Sequence, residues 1–244
     1  TVCDLHGDLT NLAWVLQKES TAVELYARLA RTLPSEENFL ASQRAILAAA
    51  DWDDDAPNVD RAFHYFFNSW MGRSGMAGTC RGNSQISVRW TANGGSPAVR
   101  FRSAIESIPD WHHRLAYFLI LRRNVFDVAR SIEDEPGTSI YCDPPYLLKT
   151  RKGDRGGGRY RHEFTESDHI QLAALLTRFK HARVVVSYYA DPFLAELYPG
   201  WEQLNFTRLK NLSTQGRRGA VKQTAPEVIL VNRLDAETKG RLFP

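Results

Sequence analysis

The sequence lacks the features that mark membrane, secreted and zinc-ribbon proteins. No apolar run approaches the roughly 18 residues that a membrane span needs, and the first residues do not resemble a secretory signal. Three cysteines, Cys3, Cys80 and Cys142, lie far apart and form no Cys-x-x-Cys pair. This spacing argues against a zinc ribbon or a disulfide scaffold. The sequence therefore predicts no membrane contact, no metal site and a reducing, cytoplasmic compartment.

Acidic residues are missing from two long windows and nearly missing from a third. Between Asp60 and Glu106 the chain has six arginines and no acid, residues 149–162 hold six cations and one aspartate, and residues 208–222 hold five cations and no acid. The whole chain carries only +3. Arginine predominates, and its guanidinium binds phosphate through paired hydrogen bonds. This segregation predicts a surface that meets a polyanion, the alternative being three solvated basic loops.

The composition, 43% apolar and 24% charged, is typical of a globular chain that forms one large domain or one domain with an insert. Helices predicted from apolar spacing and caps cover residues 7–17, 22–33, 38–50, 59–71, 96–108 and 166–179. Asn58 caps the fourth, and Pro109 ends the fifth. Predicted strands cover residues 2–4, 85–90, 118–121, 138–142, 183–187 and 227–231.

The last four strands are short and apolar, which is typical of buried strands in a mainly parallel sheet. The chain is therefore predicted to be α/β. Residues 1–20 and 111–244 form the predicted catalytic domain, and residues 21–110 form a helical insert.

The segment that carries chemistry is Asp143-Pro144-Pro145-Tyr146, directly after the predicted strand at residues 138–142. Ligand sites of α/β sheets lie at the carboxyl ends of strands. Two prolines fix the backbone and remove two N–H donors. Asp143 and the Pro144 carbonyl can then accept both hydrogens of an exocyclic amino group, while Tyr146 stacks on its ring. The alternative is that the prolines only end the strand.

This arrangement suits methylation of an aromatic amine. Acceptors on both amino hydrogens favour a pyramidal nitrogen whose lone pair points at the incoming methyl group. Positioning and electrostatics then do most of the work, without a covalent intermediate.

On this motif the chain resembles the Dam-type (α-group) N6-adenine DNA methyltransferases of bacteria and their phages. Three further segments support the resemblance, which spans about residues 1–17 and 60–233. Residues 1–12 resemble the family segment that leaves the second strand and enters a helix. Residues 78–95 resemble the DNA-contacting β-hairpin, and residues 184–189 resemble the strand after the catalytic loop.

The resemblance implies a Rossmann-like class I methyltransferase sheet with an inserted helical DNA-binding subdomain and a β-hairpin. It implies S-adenosylmethionine as cofactor and duplex DNA as partner, with the target adenine flipped out of the stack. A cognate restriction endonuclease is a candidate partner, and a monomer is the default state. The implied catalytic residues are Asp143, Pro144, Pro145 and Tyr146. The implied cofactor residues are Asp4 (near the ribose hydroxyls), Asn124, Phe126 and Asp143.

The expected DNA contacts come from the hairpin region and from the basic loop after Tyr146, which suits closure over a flipped nucleotide. They are Arg73, Arg81, Asn83, Arg89, Lys149, Arg151, Arg159 and Arg161. Such contacts make DNA binding depend strongly on salt.

Two departures from the family pattern stand out. The glycine-rich cofactor loop is missing, and we expect it before Thr1. Asn124 stands where the family often has aspartate near the cofactor's adenine, unless the alignment shifts and Asp127 is the match. Two alternatives stay open: a methyltransferase for cytosine N4 or RNA adenine, and a DNA-binding homologue that no longer catalyses.

Several residues near the predicted site have competing interpretations. Tyr188 and Tyr189 either line the site or belong to the core. Isolated histidines beside a basic loop, His162 and His169, are interpreted as surface residues. Cys142 is interpreted as buried filler.

Overall fold

The computed structural model describes residues 1–48, 56–73, 85–88, 96–150, 160–209 and 224–233. These residues form a mixed α/β structure, as predicted. The chain divides into two compact units: Thr1–Val125 with Arg159–His162, and Phe126–Gly158 with Glu163–Pro244. The predicted insert falls in the first unit together with residues 1–20 and 111–125. The division into a catalytic domain and an insert stays a prediction.

The first unit is mainly helical because its apolar residues recur at helical spacing. Its helices are α1 (Gly7–Gln17), α2 (Glu19–Arg31), α3 (Glu36–Ala48), α4 (Val59–Met71), α5 (Pro97–Glu106) and α6 (Ile108–Leu115). The predicted bounds of α1 and α4 are confirmed, and the Asn58 side chain caps α4 by accepting from the Arg61 N–H at 2.9 Å. Pro109 lies in the first turn of α6, a separate helix that the sequence analysis did not predict.

One apolar cluster holds these helices together. Phe66 and Phe67 of α4 are fully buried, and Phe67 meets Phe101 of α5 edge to face with ring centroids 5.1 Å apart. The inner faces of α1 and α2 belong to the same cluster and contribute Val15, Leu16, Leu25 and Leu29. Burial of each such side chain contributes roughly 1.5–3 kcal/mol, so this cluster is the main source of stability in the first unit.

Two short parallel strands complete the first unit. They are β1 (Val2–Cys3) and β2 (Ile120–Leu121), with Val2 opposite Ile120. They confirm the predicted strand end before α1 and part of the strand predicted at residues 118–121. The predicted strand at residues 85–90 is represented by one antiparallel bridge between Gly72 and Ile86. Residues 89 and 90 lie outside the described residues.

The second unit is built on a four-stranded sheet. The strands are β3 (Ser139–Cys142), β4 (Arg183–Tyr189), β5 (Glu202–Leu209) and β6 (Thr224–Val231). Their order is β3-β4-β6-β5. In this sheet β3 and β4 pair in parallel, and β6 runs antiparallel to both of its neighbours, so β3, β4 and β5 share one direction and β6 runs against them. The prediction of a mainly parallel sheet is therefore confirmed for three of these four strands and wrong for β6, and β5 was not predicted.

Helices after Asn124 are α7 (Val125–Ser131), α8 (Glu166–Leu176) and α9 (Phe193–Leu197). The Thr165 side chain accepts from the Asp168 N–H and Asp168 accepts from the Thr165 N–H, so the predicted cap of α8 is confirmed. The buried apolar residues of this unit include Leu172, Leu176, Val184, Val186, Val228 and Leu230. The end of β3, where the motif begins, lies at the surface of the unit, with Cys142 half-buried and Asp143 exposed.

Candidate active site

The parallel pairing of β3 with β4 determines where the motif begins. Cys142, the last residue of β3, lies opposite Val186 of β4. The chain leaves the strand at Asp143, so the motif stands at the carboxyl end of a strand, as the sequence predicts. Asp143 is exposed and Pro144 is buried, while Tyr146 is half-buried. The buried proline anchors the loop and leaves the carboxylate in contact with solvent.

A cluster of hydroxyl groups surrounds the Asp143 carboxylate. Ser187 Oγ donates a hydrogen bond to Asp143 Oδ1 at 2.7 Å. The Tyr141 hydroxyl lies 3.2 Å from the same Ser187 Oγ. Burial is the main cause that raises the pKa of Tyr146 well above its ordinary value, and the Asp143 charge raises it further. Tyr146 is therefore a neutral phenol at physiological pH.

The ring of Tyr146 is supported by a neighbouring tyrosine. Tyr189 meets it edge to face, with ring centroids 4.6 Å apart. Tyr189 is half-buried at the end of β4, so it lies beside the motif. This contact holds the Tyr146 ring in one orientation, which is what stacking on a planar ligand requires.

Tyr188 belongs to the core instead. It is fully buried, and its hydroxyl lies 2.9 Å from Nδ1 of His169, which is 1% exposed. Burial raises the pKa of Tyr188 far above its ordinary value. The interpretation of His169 as a surface residue is wrong, because its ring is buried between Tyr188 and the ring of Phe164. Cys142 is half-buried rather than fully buried.

Four predicted cofactor residues fall in two units. Asp4 and Asn124 belong to the first unit, whereas Phe126 and Asp143 belong to the second. Asp4 is half-buried, and its Oδ1 accepts from the His6 N–H at 2.6 Å, directly before α1. The cap of α1 is His6, whose Nδ1 accepts from the Leu9 N–H, and Asp4 binds the backbone of that capping residue.

Phe126 is half-buried and stacks on Phe164, with ring centroids 5.6 Å apart. Taken singly, these side chains have chemistry that suits S-adenosylmethionine, since a carboxylate can bind ribose hydroxyls, an amide an adenine edge and an aromatic ring an adenine face. Their assignment to a cofactor site stays a prediction.

Of the predicted DNA contacts, the structure describes Arg73, Lys149 and Arg161. Arg73 is exposed. Lys149 Nζ lies 2.8 Å from Asp191 Oδ1, and Arg161 Nη1 lies 3.6 Å from Asp8 Oδ2. Burial acts to raise the pKa of Asp191, but Lys149 and the Phe193 N–H outweigh it and lower that pKa. The other predicted contacts, Arg81, Asn83, Arg89, Arg151 and Arg159, lie outside the described residues.

A cavity of about 390 Å³ lies in the first unit. Gly7, Asn11 and Trp14 of α1 line it, with Arg61 and Arg122. Its lining includes none of the described residues that the sequence predicts to be catalytic or cofactor-binding. Within the described ranges, no three His, Cys, Asp or Glu side chains form a group that could hold a metal ion. None of the described helices is long and apolar enough to cross a membrane.

Sequence reasoning found the motif but missed Ser187 and Tyr141. A parallel register between the strands before and after the motif would have pointed to Ser187, because Cys142 pairs with Val186 and Asp143 and Ser187 are the next residues. No known protein-family model matches the chain, and no curated protein matches it. The chemistry of the site is therefore the basis on which function can be assigned.

Proposed function

We propose that this protein transfers a methyl group from S-adenosylmethionine to the N6 amino group of adenine in duplex DNA. The observation that supports this most is the Asp143 carboxylate, exposed at the carboxyl end of β3 beside the supported ring of Tyr146. A carboxylate next to an aromatic ring suits a flat ligand that carries an amino group.

In this proposal the motif residues bind and orient the target base. Asp143 accepts one amino hydrogen and the Pro144 carbonyl accepts the other. Tyr146 stacks on the adenine ring, and Tyr189 keeps the Tyr146 ring in place. S-adenosylmethionine supplies an electrophilic methyl group when it is bound. Asp143 accepts a hydrogen bond from the amino group during methyl transfer. It takes up the proton only after the attached methyl group has made the nitrogen acidic, so its carboxylate need not be a strong base.

The proposal assigns the sheet of the second unit to a Rossmann-like methyltransferase fold. Support comes from the parallel pair of β3 and β4 and from the position of the motif at a strand's carboxyl end. Phe126, in the same unit as the motif, offers an aromatic face for the cofactor's adenine, while the cofactor roles of Asp4 and Asn124 stay predictions.

Duplex DNA is the proposed partner because the cations of the chain are segregated. The target adenine must leave the stack to reach Asp143, and phosphate contacts would hold the distorted backbone. Lys149 and Arg161 each face a carboxylate, Asp191 and Asp8. A phosphate contact by either cation competes with that carboxylate for the N–H donors of the side chain.

The test is methyl transfer by the full-length protein. It is incubated with methyl-labelled S-adenosylmethionine and unmethylated duplex DNA, and the digested nucleosides are separated. We expect label in N6-methyladenine. Asp143→Ala should lower the rate about a hundredfold or more, because it removes an acceptor that strengthens in the transition state. The matched control is Asp110→Ala, which removes an exposed aspartate of α6 and should transfer at the normal rate.

Other results would overturn the proposal in distinct ways. Label in N4-methylcytosine would assign the site to a different amine. Tight DNA binding with no transfer and no binding of S-adenosylmethionine would favour a DNA-binding protein that does not catalyse.

A further inference from the structure

We propose that Ser187 is a positioning residue that orients the Asp143 carboxylate toward the target amine. This inference rests on the proposed methyltransferase function. An exposed aspartate at the end of a strand can adopt several rotamers. Ser187 Oγ donates to Asp143 Oδ1 at 2.7 Å and thereby selects one of them. Oδ2 is then the oxygen that we assign to the substrate amine.

The strand register explains why a serine at this position reaches Asp143. Cys142 and Val186 are paired in parallel, so Asp143 and Ser187 are the next residues along each chain. Neighbouring strands lie about 4.8 Å apart, a distance that a short hydroxyl side chain and a carboxylate can bridge. Ser187 is only 8% exposed, and a buried hydroxyl needs a partner. The carboxylate is the nearest acceptor, at 2.7 Å, whereas the Cys142 carbonyl oxygen lies 3.5 Å from the same hydroxyl.

A second hydroxyl extends the hydrogen-bond chain. Ser187 has one proton and gives it to Asp143, so the Tyr141 hydroxyl, 3.2 Å away, is the donor to Ser187 Oγ. Hydrogen bonds in such a chain polarise one another and strengthen the last bond, here the one to Oδ1. The Tyr141 side chain is 66% exposed and lies on β3, so its hydroxyl can be removed with little effect on packing.

The experiment compares Ser187→Ala and Ser187→Thr in the full-length protein. We expect the alanine variant to lose about tenfold to a hundredfold in kcat, because small misplacement of a catalytic group has effects of this size. KM for DNA and for S-adenosylmethionine should stay within about threefold, because the hydroxyl contacts neither. Ser187→Thr keeps the hydroxyl and should retain most of kcat. Ser131→Ala, which removes an exposed hydroxyl bonded to the Asp127 carbonyl, is the control.

A readout besides activity is the crystal structure of Ser187→Ala. We expect the Asp143 carboxylate to leave the rotamer that points toward β4. An unmoved carboxylate, or an alanine variant with normal kcat, would overturn the inference. If wild-type protein transfers no methyl group while Asp143 moves in the variant, the proposed function fails and the positioning contact stands.

Should Ser187→Ala fail to fold, Tyr141→Phe provides the second variant. It removes the donor to Ser187 and keeps the ring. We expect kcat to fall about threefold, in keeping with the loss of a supporting hydrogen bond. An unchanged kcat in this variant would then overturn the inference.

Discussion

Asn232, directly after β6, satisfies three backbone groups at once. Its Oδ1 accepts from the Val184 N–H at 2.8 Å. Its Nδ2 donates to the carbonyl oxygens of Ala182, at 2.8 Å, and Phe179, at 3.2 Å. The side chain is buried, so no water can replace these bonds. Asn232 therefore joins the end of β6 to the start of β4.

We predict that Asn232→Leu lowers the free energy of unfolding by about 2–4 kcal/mol, because it leaves buried backbone donors and acceptors unpaired. Urea unfolding followed by circular dichroism measures the change. Asn205→Ala on the exposed part of β5 is the control and should change the free energy by about 0.5 kcal/mol or less. Equal effects of the two substitutions would contradict the structural role of Asn232.

Among single functional residues, the sequence identified only those whose role depends on adjacent residues in the chain. Asp143 and Tyr146 were predicted because four adjacent residues carry the motif. Ser187 and Asn232 were not predicted, because their partners lie 44 and 48 residues away along the chain. The burial of His169 was missed for the same reason, since its partner Tyr188 lies on another element.

Between elements, α1 and α4 are joined by buried polar contacts. Asp8 Oδ1 and Arg61 Nε lie 2.7 Å apart, and both side chains are almost fully buried. Asn11 adds a reciprocal pair with the Asn58 backbone, accepting from its N–H and donating to its carbonyl, each at 2.9 Å. These bonds hold the start of α4 against α1.

We predict that Arg61→Met lowers the free energy of unfolding by about 3–5 kcal/mol, because it leaves the buried Asp8 carboxylate without its closest cation. Arg161, 3.6 Å from Asp8, compensates only in part. The double variant Asp8→Asn with Arg61→Met should recover much of the loss, since it removes the buried charge. Thermal and urea unfolding of the variants measure both effects.

The control for this prediction is a more exposed ion pair between α2 and α4. Arg28 and Asp60 lie 2.7 Å apart, and their side chains are 36% and 58% exposed. Arg28→Met should change the free energy of unfolding by about 1 kcal/mol or less. If Arg28→Met and Arg61→Met destabilise the protein equally, burial is not what makes the Asp8 pair important.

Helices were predicted better than strands. The bounds of α1 and the cap of α4 follow from spacing and side chains within a few residues. The separate helix α6 was missed because Pro109 was interpreted as a stop, although proline also suits the first turn of a new helix. The direction of β6 was missed because strand direction depends on partners elsewhere in the chain.

For the whole molecule, the segregation of charge leads to a prediction about DNA affinity. If about six phosphates are contacted, affinity should fall about a thousandfold between 50 and 200 mM salt. Fluorescence anisotropy with labelled duplex DNA measures this dependence. Binding that is insensitive to salt would contradict an electrostatic interface.

A matched pair of arginine variants locates the DNA-binding surface. Arg73→Ala, in a basic window, should weaken binding and reduce the salt slope by about one. Arg130→Ala lies outside the three windows and removes an exposed arginine paired with Asp127 at 2.9 Å. It should leave both affinity and slope unchanged. Equal loss in both variants would indicate nonspecific attraction by net charge.

The sequence alone determined the helices with strong caps, the Asp143–Tyr146 motif after a strand and the segregation of charge. These features depend on neighbouring residues or on composition. Tertiary structure decided the direction of the strands, the contact of Ser187 with Asp143 and the ion pairs of Lys149 and Arg161. The physical reason is that strand pairing and burial depend on which distant segments pack together, and local periodicity carries no information about that choice.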